Sequence, residues 1–447
     1  MPELIDLAER IAADARPGEQ IEAYVGWQRD TDVRVYDGDV ESLSAAESAG
    51  VGIRVVVGGR QGFAYVGDLD EPHAREALAE ARDNASFATV DDHAGLAHPD
   101  GVTPADLQLW APGADTWPTP DKIALALALD QAARSGDPRI RQVVSADYGD
   151  ALSEAAIATS TGIRATTRRT TCYVSADVVA GTGDETQTGV GYSVGRDPSD
   201  LDVAVAARDA VERATRLLGA TKPKSATLTV VLDPRVTATL LAILSGALSG
   251  EEAAKGRSMF AGRLGEQVGA GLLTLVDDPT DPRAFGAARV DAEGLACRRT
   301  VLVDGGQLTG FLYDTYSARL AGAASTGSAV RAGFKSGPGV GARALSLTPG
   351  HLDRDAVLRT VGDGLLVQDI SGVHSGVSAV SGDFSVGADG LLVRDGAIAE
   401  PVREMTIAST LQRMLQAVVA VGNDVEWLPG NAAGMTVAIA DVAMSGA

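Results

Sequence analysis

Between Ile21 and Leu69 apolar and polar residues alternate, in IEAYVGWQRDTDVRVYDGDVESLSAAESAGVGIRVVVGGRQGFAYVGDL. A period of two puts successive side chains on opposite faces of a strand, so the stretch predicts β structure with one face buried. Asp37-Gly38 and Gly58-Gly59 interrupt it. Both are turn dipeptides that accept positive φ, which two-residue hairpin loops require. The pattern is that of an antiparallel meander. A helical pattern precedes it, with Leu4, Leu7, Ala8 and Ile11 on one face, and another follows, opened by Pro72 in PHAREALAEARDNASF.

The same order returns further along. PDKIALALALDQAARS reads as a helix, the stretch from Ile140 to Asp197 as strands with a turn at STG, and LDVAVAARDAVERATRLLG as a helix. A third region opens with the strand TLTVVL and the helix VTATLLAILSGALSGEE, then turns mainly β, with hairpins at Asp304-Gly305-Gly306 and Asp395-Gly396. The fold class is α+β, with antiparallel meanders and packed helices in the first two units and a mainly-β C-terminal domain. The expected boundaries are 1–90, a linker or long loop at 91–118 rich in Pro, Gly and Asp, 119–220, and 221–447. With 447 residues, two or three domains are ordinary.

A formal net charge of −22 disfavours nucleic acid and anionic membrane as partners. The longest basic cluster is a pair of arginines, in TTRRTT and again in CRRT. No apolar run reaches the roughly 18 residues that cross a bilayer, and the acidic N-terminal helix lacks a basic leader, so a cytoplasmic location is expected. Cys172 and Cys297 are too few for a disulfide framework and read as buried reduced thiols.

Groups that could do chemistry are sparse. Of five histidines (His73, His93, His98, His351 and His374), no two have helical ligand spacing. His374 lies in DISGVHSGVSAVSGDFSVGADG, a Ser/Gly-rich strand region where a Ser–His pair is conceivable, although no nucleophile elbow exists. Asp277, Asp278, Asp281, Asp291 and Glu293 cluster in VDDPTDPRAFGAARVDAEG. They read as solvated turn residues, with a hard-metal or acid–base site as the alternative. GPGVG at 337–341 lacks the setting and the Lys of a phosphate loop.

Several segments together resemble the TldD/TldE family, whose TldE member is also called PmbA. They are VGIRVVVGGRQGFAYVGDL, RSMFAGRLGEQV, LVDDP, VDAEGLACRRTVLVDGGQLTGFLYDTYSARLAG, STGSA, LTPG, SGDFSVGADGLLVRDGAIAEPV and GNDVEW. The resemblance implies heterodimeric zinc peptidases acting on small or unfolded peptides. In such a family the TldD-type chain carries His-Glu-x-x-x-His on the helix after a strand like LTVVLDP. Here that motif falls on Ala242, Ile243 and Ala247, and neither cysteine lies beyond Cys297 to supply the family's third ligand. An older label of the family refers to DNA gyrase, but the charge argues against contact with DNA.

The resemblance therefore implies a TldE/PmbA-like subunit with no cofactor of its own. Zinc is expected only in a TldD-like partner. The helix keeps an apolar stripe, Leu240, Leu241, Leu244 and Leu248, for packing. Ser371, His374, Ser381 and Asp383 are the expected wall of a peptide groove. Two alternatives stay open: a stand-alone homodimeric peptide-binding protein, and an independent hydrolase using His374 or the Asp277–Asp281 loop.

Overall fold

Asp37 and Gly38 both have positive φ, 51° and 80°, and Gly58 and Gly59 repeat this at 54° and 73°. These turns join β1 (Glu19–Tyr36), β2 (Asp39–Val57) and β3 (Arg60–Val66). The computed structural model, which describes residues 2–183 and 185–446, places α1 (Pro2–Ala12) before this meander and α2 (Glu71–Phe87) after it. The second unit consists of α3 (Thr119–Ser135), β4 (Ile140–Thr159), β5 (Arg164–Thr182), β6 (Glu185–Gly195) and α4 (Val203–Thr215).

The two meanders make one sheet, in the order β3-β2-β1-β4-β5-β6. The seam is an antiparallel pairing of β1 with β4, from Glu22 opposite Thr159 to Val35 opposite Ala146. Alternation along β1 then sorts the layers. Ile21, Ala23 and Val25 pack with α1 and α2, and Val33 and Val35, on the same face, pack with α3 and α4. Glu22, Tyr24 and Gly26 occupy the other face, turned toward the third region.

Residues 91–118 hold one short 3-10 turn, Ala114–Thr116, and no strand or α-helix. The segment is nonetheless pinned. Leu96, Ala97 and Leu109 are buried. Leu96 donates its N–H to Gln20, and its carbonyl accepts from Arg319.

The third region is built around β7 (Ala226–Leu232) and α5 (Pro234–Ala247). Six strands follow the order 397–410, 383–394, 364–371, β7, 437–445 and 418–421. Thr406 to Ala408 also pair with Ser445 to Ala443, which closes the sheet into a barrel-like ring. The antiparallel pattern of the first sheet does not carry over here, because β7 runs parallel to Gly364–Ser371. Two strands separated by a helix and a long crossover meet in parallel, whereas strands joined by a tight turn cannot.

Candidate functional site

Asp233 starts α5 as its N-cap and is buried. Its carboxylate accepts from Arg213 of α4 at 2.7 Å, and Arg235 reaches back to Asp209 of α4 while stacking 4.1 Å over the Tyr192 ring of β6. The helix is thereby locked to the second unit at its first turn. Val236, Leu240, Leu241 and Leu244 pack into the core, with Leu248 just beyond the C-terminus. The positions on which the sequence reading expects the metal motif to fall split. Ala242 is exposed, Ile243 is partly covered, and Ala247 is fully buried.

Three members of the acidic cluster are not solvated turn residues, and this corrects the sequence reading for them. Asp277, Asp291 and Glu293 are almost fully buried, and each accepts at least one backbone N–H. Asp277 accepts from the N–H groups of Ala344 and Arg343, and Asp291 from those of Glu293, Leu295 and Ala329. Burial raises Asp277 to about 6. Burial together with the Glu293 charge raises Asp291 to about 7. Asp278 and Asp281 cap their own turns, accepting from Thr280 and Arg283. Among the described residues no group of three His, Cys, Asp or Glu is placed to hold a metal ion.

Ser371, His374, Ser381 and Asp383 are all exposed, on the segment that leaves one strand at Ser371 and re-enters the next at Asp383. Ser381 donates to Asp383 at 2.7 Å. His374 stands in a helical turn, Val373–Gly376, and not in a strand. The cause is Gly372, whose φ of 75° ends the strand and starts the turn.

Sequence patterns gave no sign of a cavity of about 900 Å³ between the first sheet and the third region. Its floor is the face of β1, β4 and β5 that carries Tyr24, Ser153 and Arg169, and its roof is formed by segments 287–292 and 331–336. Phe334 holds the roof down. It lies on β2 where glycines leave room: a Cβ on Gly52 would sit 2.2 Å from the Phe334 carbonyl oxygen, and one on Gly50 2.4 Å from its ring. Beside it runs a buried charge network. Arg54 donates to Glu22 at 2.6 Å and Glu293 at 3.3 Å, and Arg331 also pairs with Glu22. Burial opposes the Glu22 charge, but Arg54 and Arg331 outweigh it and hold that carboxyl low. Burial pushes Glu293 up against the pull of Arg54.

Three domain models match consecutive parts of the chain. They are described as PmbA/TldA metallopeptidase domain 1 (residues 21–85), central domain (112–218) and C-terminal domain (225–446). The chain belongs to the PmbA/TldD metallopeptidase family. Within it, the Escherichia coli O157:H7 protein named metalloprotease PmbA is 28% identical, over 95% of this chain and 92% of its own. A metalloprotease TldD homologue of Haemophilus influenzae is 26% identical, over 87% and 82%. TldE of Thermococcus kodakarensis shares the fold, with a TM-score of 0.88 at 23% identity and full coverage of both chains. No described helix is long and apolar enough to cross a membrane.

The PmbA/TldD name raises the question of a metal, and α5 does not supply the donors for one. A methyl group at Ala242, a sec-butyl group at Ile243 and a methyl group at Ala247 offer no lone pair. Ala247 also lies in packed core, whereas Ala242 is exposed, so the two do not share an open face.

Proposed function

We propose that the chain is the non-catalytic, TldE/PmbA-like subunit of a heterodimeric zinc peptidase that acts on small or unfolded peptides. The observation that carries this reading is α5, whose three motif positions are aliphatic while its packing stripe is buried throughout. A TldD-like partner would contribute the zinc and the water-activating carboxylate. This chain would help enclose and position the peptide, and Ser371, His374, Ser381 and Asp383 are proposed to line that path by adding backbone and hydroxyl hydrogen bonds.

The test is to purify the chain alone and together with the TldD-like chain of the same genome. The two should co-elute on sizing, and only the pair should cleave an unfolded peptide in a chelator-sensitive way. Chelator-sensitive cleavage by the isolated chain would overturn the reading. A homodimer that binds peptide and ignores the second chain would favour the stand-alone binding protein.

A further inference from the structure

The wall of the 900 Å³ cavity is cationic although the chain as a whole is strongly acidic. Arg168, Arg169, Arg289, Arg331, Lys335 and Arg343 line it, against Asp106, Glu154 and Asp291. Several of these cations have fixed duties. Arg168 stacks 5.5 Å from the Trp110 ring, and Arg343 donates to the Ala329 carbonyl at 2.9 Å. Arg331, whose side chain is 1% exposed, pairs with Glu22 and stacks 4.6 Å over Tyr24. Even so, Nε and Nη1 of Arg331, Nε of Arg343 and Oγ of Ser336, all in this wall, are buried without a hydrogen-bond partner among the described residues. Buried donors in native proteins are nearly always satisfied.

Arg169 is the odd member. No ion pair or hydrogen bond to it occurs among the described residues, and it lies on the floor of the cavity. Burial and the neighbouring guanidinium groups of Arg343 and Arg196 pull it down to about 10, so it stays charged at neutral pH. A half-buried guanidinium with no ion pair among the described residues leaves its donors open to an anion that enters the cavity.

We propose that this cavity binds a short peptide through its free C-terminal carboxylate, with Arg169 as the contacting cation. A planar guanidinium matches a carboxylate in a two-point pair. Arg54 and Arg331 are balanced by Glu22 and Glu293, which leaves the other cations of the wall in excess over Asp106, Glu154 and Asp291, so the site favours an anion. The volume is that of a small-ligand site, and Trp27, Trp110 and Phe334 in the walls give apolar side chains something to pack on. The choice of a peptide as bearer of the carboxylate rests on the function proposed above; the anion site does not.

The experiment uses the full chain alone and reads binding by calorimetry and by tryptophan fluorescence, since Trp27 and Trp110 line the cavity. The probe is an N-acetylated tripeptide ending in phenylalanine, as free acid and as C-terminal amide, with inorganic phosphate as a third ligand. The free acid should bind at least tenfold more tightly than the amide or phosphate. Arg169→Met should remove that preference and Arg169→Lys restore part of it. Arg164→Ala, on the same strand but paired with Glu9 at the surface, should change nothing. Equal binding of acid and amide, no binding of either, or tighter binding of phosphate would overturn the assignment, and all three can be read on the unaltered chain. Because no partner chain and no cleavage enter, the result is independent of whether a heterodimer forms.

Discussion

Arg54 and Glu293 lie 239 residues apart in sequence and meet in a buried ion pair, Nη2 to Oε1 at 3.3 Å. Through Glu22 and Arg331 the pair extends into a network that fastens the first sheet to the third region. Removing one member of a buried pair leaves the other charge uncompensated, which costs about 3–5 kcal/mol. Arg54→Met should therefore lower the unfolding free energy by that amount, read as a lower denaturant midpoint at unchanged slope. A change below about 1 kcal/mol would mean that the network is hydrated and contributes little.

Stability should fall between about pH 4 and pH 7. The reasoning concerns Asp277 and Asp291, raised in the folded state to about 6 and about 7. A carboxyl whose folded pKa is raised keeps its proton in the native state after the unfolded chain has lost it. Its contribution is complete below the unfolded value and is lost as pH rises through the folded one. Each group accounts for at most about 1.4 kcal/mol per pH unit within its window. Asp291→Asn keeps an oxygen for the Glu293 and Leu295 N–H groups and should flatten the decline, as read from urea melts at pH 5, 6, 7 and 8.

Rebuilding the metal motif on α5 should fail at one position only. Ala247 is fully buried, so Ala247→His overpacks the core and should cost about 1–3 kcal/mol. Ala242→His, at an exposed site, should stay within about 0.5 kcal/mol. Leu244→Ala, in the packing stripe, should cost about 2–5 kcal/mol. Thermal and chemical melts of the three variants decide this, and equal tolerance at 242 and 247 would contradict the burial described.

Both cysteines are buried thiols, each pushed up by burial to about 12. At pH 8 neither forms much thiolate, and the thiolate is the reactive species. Ellman's reagent should titrate fewer than one thiol per native chain within minutes and two after denaturation.

Local signals carried the first sheet. Asp37-Gly38 and Gly58-Gly59 need positive φ and have it, and alternation along β1 fixes which residues meet the helices. The stripe on α5 was equally plain, because one helix face repeats at short range. Burial of Asp277, Asp291 and Glu293 was not legible, since an Asp-Pro loop looks the same in sequence whether or not another segment covers it. Nor was the cavity. Arg169, Arg331 and Arg343 come from distant segments, and only the seam between β1 and β4 and the docking of Phe334 bring them together. The one local hint was Arg168-Arg169 within TTRRTT, a basic pair on a strand of an acidic chain.

The ring of the third region sets an order of events during synthesis. β7 is hydrogen-bonded between Gly364–Ser371 and Val437–Ser445, both made long after it. Until they arrive, a strand rich in Val and Leu has two unmatched edges and nothing of its own to pair with. Local hairpins can form early, but this domain must wait for contacts of large sequence separation, and its assembly is correspondingly slow and late. A nascent chain interrupted before Val437 would carry a completed first sheet and an adhesive, half-built ring, so the third region is where crowding and chaperone supply should tell first.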